Sequence, residues 1–186
     1  MIRLSDLLKE VNSNTPVYNF NFIETIAVWQ NFGIQDKSNL KKLLNLNIPQ
    51  KFKAVNFPIY RVISIDEYTD LFPGIGSWTL DINIAKEFAN TLWYLENQKS
   101  KTILLQIDNP KQENVILNID YIFKDQDFVN SIAYHESLAS KKKGKWFNEG
   151  LGIEDLQREV IYNANELSRK NIIAELINGK WKKISQ

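Results

Sequence analysis

The chain of 186 residues has no cysteine, one histidine and one methionine. Without cysteine there is no disulfide framework, no thiolate nucleophile and no cysteine-ligated zinc, a composition that suits a reducing intracellular compartment. His135, the single histidine, excludes a multi-histidine metal cage and would have to carry any Ser-His-Asp triad alone, so it reads as structural. No stretch reaches the roughly 18 consecutive apolar residues of a membrane span. The opening Met1-Ile2-Arg3-Leu4-Ser5-Asp6 carries charges where a secretory leader would be apolar. The expectation is a soluble protein without a targeting peptide, cytoplasmic or delivered into a host cell.

A surplus of one charge sign is also missing. The 23 basic and 22 acidic residues leave a net charge of +1, so no global field favours nucleic acid or a membrane surface. What is present is 44% hydrophobic and 12% aromatic content, enough to bury a core. No repeat, low-complexity tract or linker divides the chain. A single domain over 1–186 is expected, with a helical N-terminal region at 1–50 and a core at 58–186.

Apolar residues recur at helical spacing in Leu4, Leu7, Leu8 and Val11, then in Phe22, Ile26, Trp29 and Gly33. A third helix is expected from a Ser38 cap through Leu40, Leu43 and Leu44, ending before Pro49. From Pro58 the pattern changes to strands: Ile59 to Ser64, a turn at Pro73-Gly74-Ile75-Gly76, and a brief strand at Ser77-Trp78-Thr79. Asp81 caps a helix whose Ala85, Phe88, Ala89 and Leu92 share a face. Further strands are expected at Thr102 to Ile107, Val115 to Tyr121 and Glu159 to Asn163, with a helix over Gln126 to Leu138. Asn178-Gly179 marks a hairpin between Asn171 and Ile184. Helices first and strands afterwards indicate an α+β domain.

Taken singly, the polar residues of these strands read as ordinary. Arg61 suits an ion pair or sheet edge, Ser77 and Thr79 suit caps, and Glu159 suits a solvated strand start. Gln157 and Glu159 are two apart, so an extended backbone would project both to one face and Val160 and Tyr162 to the other. Lys141-Lys142-Lys143-Gly144-Lys145-Trp146 offers phosphate contacts and a stacking ring, but such a run is more often a solvated loop.

In order along the chain, Tyr60-Arg61, Ser77-Trp78-Thr79 running into Asp81 to Ala89, and Gln157-Arg158-Glu159 resemble the Arg, Ser-x-Thr, Gln-x-Glu pattern of the mono-ADP-ribosyltransferases. The resemblance spans 58–163, a little over half the chain. It implies a split mixed β-sheet that holds NAD in a central cleft, with NAD consumed as co-substrate and no metal. Arg61 would clamp NAD through its planar fork of donors. Val62 stands where many relatives carry glycine against nicotinamide. Ser77, supported by Thr79, would hold the catalytic glutamate and the nicotinamide ribose. Glu159 would stabilise the oxocarbenium-like ribose as nicotinamide leaves.

The resemblance also bears on the acceptor. Gln157 in the first position of the pair argues against an arginine target, and the turn at 146–156, with Gly150 and Gly152, falls where relatives recognise substrate. A protein acceptor is favoured over nucleic acid, with no membrane partner, in a bacterial, toxin or phage-effector setting. Trp78 and Trp93 flank the expected cleft in sequence. Two alternatives stand beside transfer: NAD hydrolysis by the same residues, and a non-catalytic binding module that acts through the lysine-rich loop.

Overall fold

The computed structural model describes residues 16–32, 37–71, 74–91, 95, 99–141 and 158–184. In chain order the elements are α1 (Phe20–Phe32), α2 (Lys37–Leu44), β1 (Ile59–Ile65), β2 (Gly74–Thr79), α3 (Ile82–Phe88), β3 (Lys101–Ile107), β4 (Val115–Asn118), α4 (Ile119–Ile122), α5 (Gln126–Lys141), β5 (Glu159–Ala164), β6 (Ile172–Ile177) and β7 (Lys180–Lys183). The chain is α+β and forms two compact units, each built from two stretches: 1–52 with 119–156, and 53–118 with 157–186.

The first unit is helical. Phe22, Ile26 and Trp29 of α1 are buried at the expected spacing, and Leu43 of α2 and Phe128 and Ile132 of α5 are buried too. Asn19 Oδ1 accepts from Phe22 N at 2.9 Å and caps α1. Ser131 Oγ accepts from the backbone N–H groups of Val17 and Tyr18, each at 3.0 Å, and fastens the chain entering α1 to α5. Ser38, expected as a cap, lies within the first turn of α2, and Leu44 is exposed rather than core. His135 is engaged structurally: its Nε2 lies 3.1 Å from the Tyr18 carbonyl and its ring meets Phe20 edge-on.

The second unit is one seven-stranded sheet in the order β4-β5-β2-β1-β3-β6-β7. Every pairing in it is antiparallel, a correction to the mixed sheet expected from the resemblance. The reason is topological. β2 and β3 run in the same direction and are joined through α3, but β1 lies between them, so two parallel strands are never neighbours. Asn178 and Gly179, both at positive φ, make the two-residue turn between β6 and β7 that the sequence announces.

Two apolar layers sandwich the central strands. On one face Ile59, Ile63 and Ile65 of β1 pack with Ile103 and Leu105 of β3, Trp78 of β2, and Val160 and Tyr162 of β5. On the other, Val62 and Leu104 meet Ala85 of α3 and Ala89, with Tyr60 at the margin. Asp81 caps α3 as expected, its carboxylate accepting from Asn83 N at 2.8 Å.

Two boundaries and one helix face differ from expectation. Gly74, Ile75 and Gly76 belong to β2 rather than to a turn, because they pair with Ala164, Asn163 and Tyr162 of β5. The chain leaves β4 at Asn118 and turns helical through Ile119–Ile122, so the strand expected to reach Tyr121 is shorter. Phe88 is more than a third exposed, leaving Ala85 and Ala89 as the buried pair beside α3. The helix expected around Leu4 to Val11, and Gly33, Leu92 and Trp93, lie outside the described residues.

Candidate functional site

The seams of the sheet are unequal. β1 is registered with β3 at seven residue pairs, from Ile59↔Ile107 to Ile65↔Lys101, and β2 with β5 at six. Between β1 and β2 a single pair, Tyr60↔Thr79, is in register. Arg61, Ser77 and Thr79 flank this opened seam, and Glu159 pairs with Thr79 on its far side.

Alternation sorts these residues between the two faces. Tyr60, Thr79 and Glu159 form one transverse row across β1, β2 and β5, and Ser77, paired with Ile161, lies diagonal to Glu159 on the same face. Arg61 points the other way. It stands opposite Leu105 of β3, on the face of Ile59, Ile63 and Trp78. The structure therefore brings Ser77, Thr79 and Glu159 together and sets Arg61 on the reverse side of the strands, beside the open seam.

On the Glu159 side the carboxylate is at the first residue of β5 and is 7% exposed, matching Thr79 at 7%. Thr79 Oγ1 accepts from Asp81 N at 3.1 Å, which ties the end of β2 to the start of α3. Ser77 is exposed. Val160 and Tyr162 are directed to the core as expected. The residue before Glu159 is strained: Arg158 has φ 50, in the left-handed region that non-glycine residues seldom occupy. Its carbonyl accepts from Leu80 N at 3.1 Å, so the bend is pinned to the residue after Thr79. The backbone is not extended through Arg158, so the premise that would align residue 157 with Glu159 does not hold; Gln157 itself lies outside the described residues.

On the reverse side the Arg61 guanidinium lies over Gly76. A Cβ built on Gly76 would be 2.6 Å from Arg61 Cζ and 3.0 Å from Nη2, with Nη1 closer still. No carboxylate or carbonyl among the described residues pairs with this cation. Burial pushes its pKa down from the ordinary guanidinium value, and no neighbouring charge opposes the shift. Trp78, on the same face, is 2% exposed and meets Tyr162 edge-on, a core residue. Its Nε1 is buried with no hydrogen-bond partner among the described residues. Two donor-only groups thus share this face without an acceptor among the described residues.

Val62, expected against nicotinamide, is buried among Leu104, Ala85 and Ala89. The lysine run at 142–145 and the turn at 146–156 lie outside the described residues. Among the described residues no group of histidine, cysteine or carboxylate side chains could hold a metal ion, and no helix is long and apolar enough to cross a membrane. Gly76 and the bend at Arg158 were not singled out from the sequence. A glycine immediately before the Ser-x-Thr element was the only signal for the first, and there was none for the second. Comparison with protein-family models, curated proteins and solved structures returns no match.

Proposed function

We propose that this protein is a mono-ADP-ribosyltransferase that cleaves NAD at the nicotinamide-ribose bond and passes ADP-ribose to a protein acceptor. The observation that carries the reading is Arg61, a half-buried cation whose guanidinium has no counter-ion among the described residues, at the one seam of the sheet that is barely paired. Desolvating a charge without a partner is costly, and a bound anion would offset that cost. The pyrophosphate of NAD supplies such an anion and suits a guanidinium fork.

Support on the other face comes from Glu159, Thr79 and Ser77 on neighbouring strands. NAD is elongated, and a ribose separates its phosphates from the nicotinamide bond. A ligand entering the opened seam would meet Arg61 with its phosphates and Glu159 with its nicotinamide ribose. The bond that breaks is between the ribose C1′ and the nicotinamide nitrogen, whose electron pair leaves with nicotinamide. The bond that forms joins C1′ to the acceptor, which gives up a proton. Glu159 stabilises the cationic ribose between these events, and Ser77 and Thr79 restrict its motion. In this reading the split mixed sheet of the family is represented by an antiparallel sheet with an opened β1–β2 seam. NAD is the co-substrate and no metal is required.

The test is nicotinamide release from NAD by the purified protein, alone and with cell lysate, with Glu159→Ala as control. Release that needs lysate and disappears in the variant supports transfer. Release without lysate supports hydrolysis by the same residues. No release sinks both enzymatic readings.

A further inference from the structure

We infer that Gly76 is a positioning residue whose missing side chain forms the seat of the Arg61 guanidinium and sets it for an anionic ligand. The inference rests on the reading of Arg61 as an anion clamp and adds a residue outside the Arg, Ser-x-Thr, Gln-x-Glu pattern.

The argument begins with what glycine costs. Within a strand, glycine loses more backbone entropy than other residues and contributes no cross-strand contact, so its presence calls for a local reason. Backbone conformation is not that reason at Gly76, which does not have the positive φ that marks Gly74 and Gly179. Space is. Gly74 and Gly179 have nothing within 4 Å of an added Cβ, whereas at Gly76 the Arg61 guanidinium occupies the Cβ position. The described glycines thus divide into two that serve the backbone and one that serves a neighbouring side chain.

The direction of the effect follows from which atoms collide. The three nearest atoms all belong to the end of the Arg61 side chain. A methyl group at 76 therefore displaces the guanidinium rather than the strand. Arg61 has no ion pair or hydrogen bond within the described residues to hold it. What orients it among the described residues is then its seat on the bare backbone of β2 at Gly76. A planar fork must be oriented to engage two oxygens at once, so a displaced guanidinium keeps its charge and loses its bidentate geometry.

The experiment is a double-mutant cycle on the full chain with Gly76→Ala, Arg61→Ala and both together, titrated with inorganic pyrophosphate and with NAD. Loss of an oriented charged hydrogen bond corresponds to roughly a 10- to 100-fold loss of affinity. Gly76→Ala is expected to weaken both ligands by about that factor, as is Arg61→Ala, and the double variant to be no weaker than Arg61→Ala alone. Wild-type affinity in Gly76→Ala, or effects that multiply in the double variant, would overturn the inference. If Gly76→Ala does not fold, the melting temperature decides: the double variant, relieved of the guanidinium, is expected to recover, and an equally unfolded double variant overturns the inference. The two readings fail separately. Coupled loss of pyrophosphate binding without nicotinamide release refutes the enzyme and keeps the Gly76 seat. Nicotinamide release that needs Arg61 but tolerates Gly76→Ala refutes the seat and keeps the enzyme. Absence of both pyrophosphate and NAD binding in the wild-type protein refutes the seat as well as the enzyme.

Discussion

The two edges of β1 are made by the same seven residues and behave differently. Toward β3 the strand is registered along its whole length, whereas toward β2 it is registered at Tyr60 alone. Propensity does not explain this, because Ile59, Val62, Ile63 and Ile65 suit either neighbour. The partner strands differ. β3 offers Ile103, Leu104 and Leu105, all fully buried, while β2 offers Gly74 and Gly76 before its Trp78, and Arg61 rests on the second of these glycines. One edge of β1 is a structural ladder. The other trades ladder for a charged side chain without a partner among the described residues. A part of the sheet that gives up pairing and partly desolvates a charge unpaired among the described residues is where function is expected to have overruled stability.

The sharpest way to break that contrast lies within β2 itself, at neighbouring residues on opposite faces. Trp78 is buried in the apolar layer and Ser77 is exposed. Trp78→Ala is expected to cost about 3–5 kcal/mol, as large-to-small changes in cores do. Ser77→Ala should change stability by less than about 0.5 kcal/mol. Denaturant unfolding of the two variants measures the difference directly. Equal effects would mean that the two faces of β2 are not distinct in the way the packing indicates.

Glu159→Gln asks whether the row of Tyr60, Thr79 and Glu159 carries chemistry. The substitution keeps shape and removes charge. If the carboxylate stabilises a cationic ribose, nicotinamide release should fall by about 10²- to 10³-fold, the scale of a lost electrostatic stabiliser. NAD affinity should change little if, as proposed, Arg61 makes the ground-state contact with the phosphates. A loss seen mainly in affinity would move Glu159 from chemistry to binding.

Arg61→Met separates stability from function at the open seam. The aliphatic part of the side chain is retained and the unpaired charge is removed, so the melting temperature is expected to rise, by about 1–2 kcal/mol in stability terms. Pyrophosphate should no longer stabilise the variant, whereas it should raise the melting temperature of the wild-type protein. A destabilised variant would show that the charge has a structural partner after all.

Element types were largely legible in the sequence because their signals are local. The isoleucines of β1, the Asp81 cap and the Asn178-Gly179 turn depend only on residues a few positions apart. Faces and seams were not legible. That Gly76 serves Arg61 depends on the register between β1 and β2 and on the incompleteness of that pairing, neither of which any spacing in the chain encodes. Trp78 flanks the expected cleft in sequence, yet a tryptophan is more often core or groove wall. Alternation turns it into the core, and the same rule carries Arg61 to the side opposite Glu159. The two glycines of 74–76 suggested a turn, yet the pairing with β5 was strong enough to hold them in a strand.

Arg158 supplies the smallest effect and a comparison inside the site. Asn178 and Gly179 adopt positive φ where a hairpin turn requires it and where their residue types tolerate it. Arg158 adopts φ 50 with a residue type that does not favour it, immediately before Glu159. A left-handed non-glycine residue costs about 1 kcal/mol or somewhat more, and such strain persists only where its surroundings enforce it. Here the Leu80 N–H enforces it by donating to the Arg158 carbonyl, so the bend and the end of β2 are fixed together. Arg158→Gly removes the side-chain penalty but frees the unfolded chain, and the two nearly cancel; the expected net change in stability is within about 1 kcal/mol of zero. Arg158→Val, which adds a β-branched side chain at the same angle, should be clearly worse than Arg158→Gly in both melting temperature and nicotinamide release. If valine is tolerated as well as glycine, the bend does not constrain Glu159, and the pairing with Thr79 holds the start of β5 without it.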